Sequence, residues 1–156
     1  MTRALLFVSW VAVAACGAGA SVRTAPPSTE VSELALPGVS ADGGAATIRV
    51  GDFWTPGRAG VLAVRVQGGA WCGTCLWQAE HTRELFERAG GERVQVVDLV
   101  VGDRDDAPAT VADARDWRER LDRPVPVAAD PGFSLRALAP PGGTTLPMIG
   151  LVDTAT

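Results

Sequence analysis

Cys72 and Cys75, in the run Trp71-Cys72-Gly73-Thr74-Cys75, carry the most reactive chemistry in this chain of 156 residues. They stand where a β-prone aliphatic run, Val61 to Val66 closed by Gly68-Gly69, gives way to helical periodicity. The spacing closes a disulfide, and the strand-to-helix change puts Cys72 at a helix N-terminus with Cys75 one turn further in. Free N–H groups and the dipole of a first helical turn favour thiolate, drawing the pKa of such a cysteine from about 8.5 toward roughly 3.5–7.5. Cys72 is the expected nucleophile. Cys75, deeper and protonated until needed, is the expected resolving thiol, attacking the mixed disulfide formed on Cys72.

Other uses of a cysteine pair fit less well. A zinc site takes about four ligands, and with Cys16 committed elsewhere the chain offers two cysteines and one histidine. Covalent haem attachment needs His directly after the second cysteine, where Leu76 stands. No metal and no cofactor is expected. The remaining alternative is a non-catalytic binding module that uses a permanent disulfide to hold its surface.

The elements that must position the pair follow from patterning. Val61 to Val66 suits a strand buried on both faces. Cys75, Ala79, Thr82, Phe86 and Ala89 recur at helical spacing, and Gly90-Gly91 supplies a stop. Val94 to Val101 predicts a second buried strand, and Thr110 to Leu121 a second, more charged helix ending before Pro124. Val125 to Ala128 is a short extended segment, Asp130 can cap a short helix over Phe133 to Ala139, and Thr145 to Val152 is a further strand. An earlier β-rich stretch covers Thr47 to Val50. Alternation of strand and helix predicts an α/β domain with a mostly parallel central sheet flanked by helices.

The N-terminus reads differently. Ala4 to Ala15 is apolar over 12 residues behind Arg3, too short to span about 30 Å of hydrocarbon and suited to an export signal. Val13-Ala14-Ala15-Cys16 resembles a bacterial lipobox, so residues 1–15 are expected to be a lipoprotein signal peptide, with Cys16 lipidated as the new first residue. Cleavage near Ala18 or Ala20 as an ordinary signal is the alternative. Residues 16–30, rich in small residues and proline, form an expected flexible tether. The domain then covers 31–156, and the expected location is the bacterial cell envelope, facing the periplasm or the exterior. The 14 basic residues against 18 acidic give a net charge of −4 without any basic run, which excludes a nucleic-acid footprint.

From Thr47 to Asp153 the sequence resembles the thioredoxin superfamily, in particular exported redoxin and TlpA-like thiol-disulfide oxidoreductases. The matches are Val61 to Val66 leading into WCGTC, Val125 to Pro131 (VPVAADP), and Thr145 to Ile149 (TLPMI). The resemblance implies a thioredoxin-like fold and protein thiols or disulfides as partners. It also implies a cis proline at Pro147 facing the disulfide, with the Leu146 backbone pairing with substrate as an added strand. Trp71, Gly73, Thr74, Leu146 and Pro147 are thus the expected substrate-binding residues around Cys72 and Cys75. The departures are informative. Val66 occupies the place of the buried Asp that helps move the resolving thiol's proton, so water or another group must take that role. Glu80 replaces the usual helix proline, and Gln78 stands where some TlpA-like proteins place Glu. Glu80 and His81 are expected on a solvated helix face. The family continues past the Pro147 strand into a hairpin strand and a covering helix, so a C-terminally incomplete domain with a bare outer edge on that last strand is expected.

Overall fold

The computed structural model describes residues 8–11, 22–25, 30–53, 60–90, 93–103, 105, 107–136 and 146–154. Cys16, Trp54, Thr145 and most of the expected tether lie outside them. In chain order the elements are β1 (Val8–Val11), β2 (Val22–Ala25), a single helical turn α1 (Glu30–Glu33), β3 (Ala35–Val39) and β4 (Ala45–Arg49). These are followed by a 3-10 turn (Val50–Phe53), β5 (Val61–Gln67), α2 (Gly73–Gly90), β6 (Val94–Val100), α3 (Val111–Arg120), β7 (Val127–Ala129) and β8 (Met148–Asp153). The described strands form one sheet in the order β2-β1-β8-β5-β6-β7-β3-β4.

The centre of the sheet answers to the aliphatic runs. Strands β5 and β6 pair in parallel over Val61–Gln67 and Val94–Val100, and β6 continues in parallel to β7. Parallel neighbours need crossover connections, which α2 and α3 provide. Strand β8 returns antiparallel beside β5, with Met148 opposite Val66. This is the thioredoxin-like α/β arrangement: a central sheet with parallel strands, a CxxC at the strand-to-helix junction, and the proline-headed strand alongside.

Apolar residues of opposite parity build a core on each face. One face joins Leu62, Val64, Val66, Val97, Leu99 and Met148. The other joins Cys75, Ala79, Val100, Ala114, Trp117 and Val127 beneath α2 and α3. Thr110 caps α3 reciprocally with Asp113, a capping box that starts the helix one residue after the expected position.

Within the second face sits a buried charge cluster. Arg65 of β5 donates from Nε to Asp98 Oδ1 (2.6 Å) and from Nη2 to Asp98 Oδ2 (2.9 Å). The Trp117 indole N–H donates to Asp98 Oδ2 at 2.7 Å, and Arg65 Nη1 donates to the Ala79 carbonyl of α2 at 2.5 Å. The Arg65–Asp98 pair thereby ties both central strands and both helices, α2 through the guanidinium and α3 through the carboxylate. Buried charges persist only when paired and hydrogen-bonded in this way.

One expectation changes: the outer edge of β8 is expected bare. Here β1 pairs antiparallel with β8 from Val8 opposite Val152 to Val11 opposite Ile149, and β2 pairs with β1. The physical reason is that an open strand edge offers unpaired N–H and C=O groups to any extended β-prone segment, and Val-Ser-Trp-Val is one. Of the short helix expected over Phe133 to Ala139, residues 137–139 lie outside the described residues; before it the Asp130 carboxylate accepts from the Ser134 N–H and hydroxyl, as the expected cap does.

Candidate active site

The site is assembled at the C-terminal end of β5. Past Gln67 the chain turns through Gly68 and Gly69, and the Cys72 N–H donates to the Gly69 carbonyl at 2.9 Å. Gly69 has φ +143, and a Cβ there would stand 2.6 Å from the Gly102 carbonyl oxygen, so both conformation and space require glycine. The Trp71 indole N–H donates to that same Gly102 oxygen at 3.4 Å, leaving the ring 45% exposed beside the cysteines. Gly69→Ala is expected to destabilise the domain by about 1–3 kcal/mol. Gly73→Ala, where an added Cβ meets nothing within 4 Å, should change stability by less than about 0.5 kcal/mol. Thermal unfolding of the two variants checks the contrast.

Helix α2 starts immediately after Cys72. The Leu76 N–H donates to the Cys72 carbonyl at 3.1 Å, and the Cys75 N–H donates to Cys72 Sγ at 3.2 Å. A sulfur that receives a helix-start N–H and lies at the positive end of the dipole is held where a thiolate is stabilised. Cys72 and Cys75 are disulfide-bonded with their Cα atoms 5.2 Å apart. The two sulfurs differ in access: Cys72 is half-buried, whereas Cys75 is 0% exposed and receives the Gly68 N–H at 3.4 Å. Gly73 and Thr74 are exposed beside them.

Antiparallel register brings the other end of the site in. Met148 faces Val66 across the ladder, so the residues just before β8 lie beside the end of β5 that runs into the cysteines. Leu146 and Pro147 there are half-buried, and their peptide bond is cis. Leu146 and Cys72 both pack against the cluster that contains Cys75. The structure therefore gathers Trp71, Cys72, Gly73, Thr74, Cys75, Leu146 and Pro147 at one end of the sheet.

The remaining candidates lie further along α2. Gln78 is buried, Glu80 half-buried, and His81 exposed. His81 stacks on the exposed Trp77 ring at 4.1 Å between centroids, with Nδ1 2.8 Å from the Trp77 carbonyl. Arg65, Asp98 and Gln67 are not marked by any motif; their one signal in the sequence is a charged or amide side chain inside strands otherwise aliphatic.

No protein-family profile and no curated protein matches this chain. Among solved structures the chain is similar to the pneumococcal exposed lipoprotein thioredoxin Etrx1 from Streptococcus pneumoniae. That similarity has 24% identity and a TM-score of 0.48, over 78% of this chain and 82% of that one.

Proposed function

We propose that the protein is an extracytoplasmic thiol-disulfide oxidoreductase that exchanges disulfides with protein partners through Cys72 and Cys75. The observation that carries this reading is the asymmetry of the pair: an accessible Cys72 Sγ receiving a helix N–H, disulfide-bonded to a fully buried Cys75. In the reducing direction the Cys72 thiolate attacks a substrate disulfide sulfur, forming a mixed disulfide and releasing one substrate thiolate. Cys75 then loses its proton, attacks Cys72 Sγ and closes the Cys72–Cys75 disulfide. The second substrate sulfur leaves as thiolate and takes up a proton from water, so two electrons have passed from the pair to the substrate. The opposite sequence oxidises a dithiol. Leu146 and Pro147 offer backbone for an extended substrate segment, and exposed Trp71, Gly73 and Thr74 supply its contact surface.

Catalysis of insulin reduction with dithiothreitol as electron source tests the reading. Acceleration of B-chain precipitation over dithiothreitol alone is the expected result. An unchanged rate would favour a binding module with a permanent disulfide.

A lipid anchor at Cys16 accounts for the apolar run before it and the small-residue segment after it; cleavage there would remove β1 (Val8–Val11), so the pairing of β1 with β8 belongs to the uncleaved chain. Mass spectrometry of the mature N-terminus from envelope preparations is expected to find a diacylglyceryl Cys16. An unmodified N-terminus beginning after Cys16 would refute the anchor.

A further inference from the structure

We infer that the Gln67 side-chain amide is the group that stabilises the Cys75 thiolate during the resolving step. The inference deepens the proposed function and rests on it. Gln67 is 0% exposed, and neither Nε2 nor Oε1 has a hydrogen-bond partner among the described residues. A buried amide left unpartnered costs free energy unless some state of the protein uses it.

Placement says which state. Leu62, Val64 and Val66 of β5 point into one core, so Arg65 and Gln67 point to the other, where Arg65 reaches the Ala79 carbonyl of α2. Helix α2 runs back antiparallel to β5 as a crossover must. Two residues along the strand, about 6.6 Å, match four back along the helix, about 6 Å. If Arg65 stands at Ala79, Gln67 stands at Cys75. Two independent contacts agree: Gly68, next in the chain, donates its N–H to Cys75 Sγ, and Val100, in register with Gln67, packs in the cluster that contains Cys75. The charged groups of this face, Arg65 and Asp98, are consumed by each other.

A neutral amide does not take up the proton. It matches each protonation state of the sulfur instead: Oε1 accepts from the Cys75 S–H, and Nε2–H donates to Cys75 S⁻ once the proton has passed to water. In the disulfide the sulfur is neither donor nor anion, which accounts for the idle amide in the oxidised protein.

The test uses the reduced protein and a chromogenic aromatic disulfide in a stopped-flow mixer. Attack by Cys72 releases one aromatic thiolate, and resolution by Cys75 releases a second. Gln67→Met keeps the side chain's length and removes its hydrogen bonds. It is expected to leave the first phase unchanged and slow the second about tenfold, the factor one charge-assisted hydrogen bond supplies. A structural role would not separate the phases. As a second measurement on the unaltered protein, the Gln67 side-chain amide resonances should shift on reduction and its NH₂ exchange should slow. Equal second phases in the two proteins, or an amide indifferent to redox state, overturns the inference. A protein that releases no aromatic thiolate in either phase overturns the proposed function itself.

Discussion

Cys72→Ser is expected to reduce disulfide exchange by at least about a thousandfold, to the rate of the reductant alone. A serine hydroxyl in the same place keeps the Cys75 N–H contact and the helix start, so folding should be retained. What is lost is the sulfur that the helix terminus holds in its anionic form. Cys75→Ser should differ in kind: the first attack survives and the reaction stops at the mixed disulfide. Circular dichroism on both variants checks that the fold is intact, and insulin reduction gives the rate. Residual activity of Cys72→Ser above a few per cent would mean that another group attacks.

Removing the counter-charge from β6 should have the largest effect on stability. Asp98→Ala leaves the Arg65 guanidinium, 3% exposed, without its carboxylate and the Trp117 N–H without its acceptor. Breaking a buried pair by removing one partner costs about 3–5 kcal/mol, a large part of the roughly 5–15 kcal/mol margin of a domain. Urea unfolding should show a midpoint lower by about 1 M or more at slopes of about 1–3 kcal/mol/M. The double variant Arg65→Met, Asp98→Leu should recover much of the loss, since an apolar replacement leaves no buried charge. A drop below about 1 kcal/mol in Asp98→Ala would show that water compensates the arginine.

The same residues explain how far the sequence could be read. Val61 to Gln67 and Val94 to Val100 are legible because burial on both faces demands largely aliphatic runs, which each strand keeps despite its buried charge. The CxxC is legible because its spacing falls at a junction of two local periodicities. Strand β3 is not legible locally: Pro37 and Gly38 argue against a strand, and pairing with β4 and β7 makes one anyway. A Cβ on Gly38 would lie 2.1 Å from the Val127 carbonyl oxygen, so the glycine that weakens the local signal permits the contact. The Arg65–Asp98 bond joins residues 33 positions apart, beyond any local pattern. Val8–Val11 reads as part of a leader from its hydrophobicity, and the edge of β8 that accepts it is formed at the far end of the chain. At the site, the resemblance marks Val66 as the position of a missing acid. The adjacent Gln67, on the opposite face of the strand, is the one turned toward Cys75.

Trapping the exchange intermediate tests the central claim most directly. Reduced Cys75→Ser protein mixed with a disulfide-bonded protein substrate is predicted to give one mixed disulfide, and peptide mass spectrometry under non-reducing conditions should place it on Cys72. Wild-type protein should give the free substrate thiols and the Cys72–Cys75 disulfide instead. The account is contradicted if Cys75→Ser yields no adduct while Cys72→Ser forms one readily on Cys75.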